Sequence, residues 1–175
     1  MWRSYRSTLG AFAMVVVMIW TGAAQGPAAT IQTGVVPTGW SELLKAFLAH
    51  DVQSKTFVDK LARTAPQPTV RALAAILQQE WDLPPDSETL AHPRAVYVPK
   101  LSPEDRQTNG QTFVIKVSVM DDGRVARTAF LKSLRQPRLG RLVDQKMHDA
   151  LFRPAFRGGR FVAGETVVRY TVEVR

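Results

Sequence analysis

Apolar and polar positions alternate most sharply at the end of the chain, where Val168, Tyr170, Val172 and Val174 interleave with Arg169, Thr171, Glu173 and Arg175. A period of two buries one face of a strand and wets the other. The same period runs through Phe113, Ile115, Val117 and Val119, with Val114, Lys116, Ser118 and Met120 between them. Asp121-Asp122-Gly123-Arg124 follows, and Asp-Gly is a strong hairpin signal because both residues tolerate positive φ. A second strand is therefore expected from Val125 to about Leu131. Pro137 and Gly140 mark a break. Leu142, Val143, Met147, Ala150 and Leu151 then share a helical face up to Pro154. Gly158, Gly159 and Gly164 make turns, and the last strand starts near Glu165. The order strand, strand, helix, strand predicts an α+β domain over residues 112–175, with a small antiparallel three-stranded sheet covered by one helix.

Upstream the period becomes helical. Ser41 is positioned to cap a helix carrying Leu43, Leu44, Phe47 and Leu48. Phe57, Val58 and Leu61 continue with helical spacing. After Pro66 and Pro68, the residues Val70, Leu73, Ala74, Leu77 and Trp81 form a third stripe, stopped by Pro84 and Pro85. Residues 40–83 thus read as a helical region whose stripes are core rather than ligand site. Residues 84–111 hold five prolines and read as a linker or lead-in, within which Val96, Tyr97 and Val98 form a short strand or an anchor. That composition marks a boundary, so a chain beginning near Ala95 is expected to fold by itself.

The first 24 residues have a different character. Arg3 and Arg6 precede the apolar run Leu9–Trp20, and the small residues Gly22, Ala23 and Ala24 follow. This is the layout of an export signal, and the run falls short of the roughly 20 residues a membrane span needs. Cleavage is expected near Gln25 or Gly26, with an uncleaved N-terminal anchor as the other reading. Residues 25–39 read as a linker. The functional part is then periplasmic, soluble or tethered to the inner membrane.

Charge and composition narrow the chemistry. The chain has no cysteine, which excludes a disulfide framework and thiolate sites. Residues 100–175 carry fifteen Lys/Arg and eight Asp/Glu, a net of +7 within a total of +8. A basic unit favours anionic partners, and its place outside the cytoplasm argues against nucleic acid. His50, His92 and His148 lie in different segments, none at metal-ligand spacing. Asp121 and Asp122 read as hairpin residues rather than a carboxylate pair, and Arg157-Gly158-Gly159-Arg160 as a turn rather than an anion loop. No catalytic constellation, metal site or cofactor is expected.

The ordered set Asp121, Gly123, Val125, Ser133, Leu142, Asp144, Phe152, Arg153, Pro154, Ala155, Gly159, Arg160, Val162, Gly164 and Val168 resembles the TonB C-terminal domain family. The resemblance covers roughly residues 96–175. The chain departs from the family in reading Tyr97-Val98-Pro99 where Tyr-Pro is usual. It has a helical middle in place of a long Pro/Lys-rich spacer, and residues 1–24 contain no histidine. The resemblance thus implies the family's binding domain more than its energy transducer. It implies a partner that is an extended segment of an outer-membrane receptor or periplasmic protein, bound by strand addition. An ExbB–ExbD-type complex and a homodimer stay open. The expected partner-binding residues are Val167, Val168, Arg169, Tyr170, Thr171 and Val172 on the final strand. The alternative is a structural cell-envelope protein whose basic face holds wall polymer or acidic lipid.

Overall fold

The computed structural model describes residues 35–101, 112–132 and 137–171. The expected export signal, Ser133, Val172 and Val174 lie outside the described residues. Helix α1 (Trp40–Ala49) leads into α2 (Val52–Thr64) and α3 (Pro68–Glu80), then the single turn α4 (Glu88–Ala91). Strand β1 (Arg94–Tyr97) precedes the hairpin of β2 (Thr112–Val119) and β3 (Val125–Phe130). Helix α5 (Pro137–His148) and four strands follow: β4 (Leu151–Arg153), β5 (Ala155–Arg157), β6 (Arg160–Val162) and β7 (Gly164–Thr171).

The fold class is α+β, as the periodicities predict. β3, β2 and β7 form an antiparallel three-stranded sheet in that order, while β1–β4 and β5–β6 form two-stranded pairs. α5 closes one face of the larger sheet. Leu139, Val143 and Met147 pack with Phe113, Ile115, Val117, Val125 and Tyr170. Thr128 on β3 donates its hydroxyl to Asp144 on α5, fixing the helix over that strand.

Several boundaries differ from the sequence reading. α5 begins at Pro137, since proline at the first helical position loses no intrahelical bond, and Gly140 is buried within it. The helix ends at His148, and residues 151–153 become β4 because β1 offers them a partner. α1 begins at Trp40, so Ser41 lies inside it. The capping position is Gly39, at φ 93°, with no side-chain cap. α2 does have a side-chain cap, because Asp51 accepts from Ser54 N at 2.7 Å. Pro68 opens α3 rather than ending a segment. Leu48 and Phe57, read as stripe residues, are partly exposed.

The larger difference concerns residues 84–111. The sequence reads them as a boundary, yet α4 and β1 form there and join the helices to the strands. The described residues between Val35 and Thr171 fall in one compact unit. One core takes Trp40, Leu43 and Phe47 from α1, Val58 from α2, Leu73 and Leu77 from α3 and Leu90 from α4, together with Leu151 and Phe156 from β4 and β5. The other core lies between the sheet and α5 and includes Phe152. Successive strand residues point to opposite sides. β4 therefore gives Leu151 to the helical core and Phe152 to the sheet core. Burying each such side chain stabilises by about 1.5–3 kcal/mol.

Two polar contacts lock the same junction. Trp40 donates its indole N–H to Asp122 O at 2.9 Å. Phe152 N donates to Gly123 O at 2.9 Å, so the β2–β3 turn is held from both sides. Gly123 has φ 92°, and a Cβ there would overlap the Phe152 carbonyl and press on the Trp40 ring. Glycine is required on both counts.

Candidate functional site

β7 lies at one end of the sheet order, and among the described residues no strand lies on its far side. It pairs with β2 along its whole length, from Gly164↔Val119 to Thr171↔Thr112. Which backbone groups face outward follows from one hydrogen bond. Leu131 N donates to Val114 O at 2.9 Å, so the backbone groups of Val114 point toward β3. In an antiparallel ladder a residue sends its N–H and C=O to the same side, and successive residues alternate. Phe113, Ile115, Val117 and Val119 therefore serve β7. Their register partners Tyr170, Val168, Thr166 and Gly164 spend their backbone groups on β2. Glu165, Val167, Arg169 and Thr171 turn theirs away from the sheet. An edge of about 3.3 Å per residue thus presents four donor–acceptor sets in register.

The side chains divide the same way. Thr166, Val168 and Tyr170 face α5's side of the sheet, and Tyr170 is buried with its hydroxyl donating to Pro99 O at 2.9 Å. Val98 and Leu101 pack against the same core, so the stretch after β1 supports the strand from below. Glu165, Val167, Arg169 and Thr171 are exposed on the other face. Thr171 and Thr112 bring their hydroxyls to 3.0 Å at one end of the pairing. Near the other end Lys116 Nζ meets Glu165 Oε2 at 2.6 Å. The Lys116 hydrogen bond holds the Glu165 carboxyl below its ordinary value, helped by Lys116's charge, the Ser118 hydroxyl and the nearby Arg127.

Of the expected partner-binding residues, Val167, Arg169 and Thr171 thus share the outward backbone and the exposed face. Val168 and Tyr170 lie on the same strand but face the core. Val172 is outside the described residues. Glu165 completes the outward set. The alternation carries that signal, since Glu165 is in phase with Val167.

The other candidates lie elsewhere. Asp122 accepts from Arg124 N at 3.0 Å and from Arg124 Nε at 2.6 Å, so its carboxylate organises the turn. Gly158 and Gly159 have φ 57° and 75°, which makes Arg157–Arg160 a β5–β6 hairpin turn. His50 stacks on Trp81 at 4.9 Å between ring centroids. His148 closes α5, and His92 is exposed after α4. Among the described residues no group of three His, Asp or Glu is arranged to hold a metal ion. None of their helices is long and apolar enough to cross a membrane.

Comparison with protein-family models gives no match, and comparison with curated proteins gives none either.

Proposed function

We propose that this chain is an exported, non-catalytic binding protein that captures an extended segment of an outer-membrane or periplasmic partner by adding it as a strand beside β7. The carrying observation is the outward ladder of Glu165, Val167, Arg169 and Thr171. Backbone hydrogen bonds supply affinity in such a mode, and alternate side chains supply selectivity. The resemblance of residues 96–175 to TonB C-terminal domains supports the same reading. It favours a receptor or periplasmic segment as the ligand.

The ladder phase gives a sharp test. Arg169→Pro removes an outward N–H and leaves the β2 pairing intact, because proline is tolerated at a sheet edge. Val168→Pro removes a bond to β2 and should damage the fold. Receptor N-terminal peptides titrated into the isotope-labelled protein should shift the amides of residues 165–171, and R169P should abolish the shifts while keeping a native spectrum. Shifts confined to residues 112–131, with β7 silent, would place the ligand elsewhere.

A further inference from the structure

The outer face of the three-stranded sheet, opposite α5, extends beyond the β7 edge over β2 and β3. Register and alternation place Val114, Lys116 and Ser118 from β2 there, Arg127 and Ala129 from β3, and Glu165, Val167 and Arg169 from β7. Leu131, just past β3, is bonded to Val114 O and continues the same face. Val167 is 55% exposed and Leu131 52% exposed. Lys116 stands at the centre of this face between Ala129 and Val167, with Arg127 and Arg169 at opposite corners, against the single carboxylate of Glu165, which Lys116 already engages. The face therefore carries an excess of two positive charges.

We infer that this face docks flat on an anionic lipid surface. Charge complementarity selects the occupant. A second copy would set like charges against each other, which disfavours it. The cations sit on three different strands of a sheet rather than along one groove, so they match a broad negative surface better than a single acidic peptide. Val167 and Leu131 would enter the headgroup boundary while the arginines and lysine stay at the phosphates. The face reaches across β2 and β3, away from the backbone edge of β7, so Arg127 on β3 and the neighbouring Leu131 test lipid docking apart from peptide capture.

The chain has no cysteine, so one introduced thiol is a unique label. V167C and L131C carry a polarity-sensitive fluorophore, and V52C, at an 82% exposed position on α2, is the control. The full chain is mixed with vesicles of phosphatidylcholine alone or with equal parts phosphatidylglycerol. A blue shift at V167C and L131C on the anionic vesicles, with V52C silent, is the expected result. Arg127→Gln and Arg169→Gln should each weaken vesicle partitioning about fivefold. Equal shifts at all three labels would mean that another segment holds the chain on the vesicle, and would overturn the inference. So would a silent V167C, a shift that follows protein concentration without lipid, or a response only to acidic peptide.

Discussion

Arg153 and Glu80, 73 positions apart, meet as a buried ion pair at 2.8 Å between Nε and Oε2. The Nε–H does not lie along that contact, and Arg153 Nη2 reaches Glu80 Oε1 at 3.3 Å. Its guanidinium also donates to Leu90 O, Pro154 O and Thr89 O, so nearly every donor is used. Burial pushes the Arg153 guanidinium down from its ordinary value, and the Glu80 charge opposes that shift. Arg94 reaches the same carboxylate at 3.2 Å.

Glu80→Leu should therefore leave two guanidiniums facing each other without an anion. Breaking a buried pair from one side costs about 3–5 kcal/mol. Arg153→Met should be at least as harmful, because three carbonyls lose their donor. The double variant should fall short of the sum of the two losses. Urea unfolding of the four proteins measures this coupling, and simple additivity would show that the pair does not act as a unit.

Separating the strands from the helices should unfold them. A chain beginning near Ala95 lacks Trp40, Glu80 and Leu90, so Leu151, Phe156 and Arg153 lose their partners. This outcome opposes the expectation from the proline-rich stretch. Circular dichroism during heating decides it, since a cooperative melt of the short chain would mean that the sheet and α5 suffice.

Gly123→Ala should be among the most damaging small substitutions. The left-handed backbone alone costs of order 1–3 kcal/mol for a residue with a side chain, and here the Phe152 carbonyl also blocks the Cβ. Gly158→Ala meets nothing within 4 Å, so it should lose only the conformational part. Trp40→Phe replaces the indole by a smaller ring, so it loses the bond to Asp122 O, at about 0.5–1.5 kcal/mol, and adds the cost of a cavity at a fully buried site. Thermal midpoints of the three variants should rank G123A lowest.

Acid should weaken the start of α2. The backbone N–H of Ser54 is the main cause that lowers the Asp51 carboxyl below its ordinary 3.8. A group with a depressed folded value contributes its stability in full above the unfolded value and loses it as pH falls through the folded one. Asp51→Ala should therefore lower the unfolding midpoint at neutral pH, and the difference from the parent should shrink well below 3.8. A gap that is constant with pH would show that the charge of the cap contributes nothing.

The chain's local order was legible because it follows from short-range periodicity. Alternation in residues 113–119 and 164–171 set the strands and their faces. Gly123 in one turn and Gly158-Gly159 in the other set the bends through positive φ, while Asp122, expected to share that conformation, does not adopt it. The outward set of the candidate site follows from the same alternation, once one ladder bond fixes its phase. What only the tertiary structure decided was which distant groups meet. Trp40 falls at the start of the expected helical region without joining its apolar stripe, yet it plugs the β2–β3 turn. Arg153 enters the sequence reading only through the Phe152–Ala155 resemblance and Glu80 carries no signal there, yet the two form the buried pair. β4 was hidden because three residues are too few to show a period, and because its neighbour β1 lies more than fifty residues earlier. The proline-rich composition of residues 84–111 described local stiffness, not separation. Proline restricts the chain's own dihedrals, whereas a domain boundary depends on whether side chains from both sides share a core, and here Leu90, Leu151 and Phe156 do.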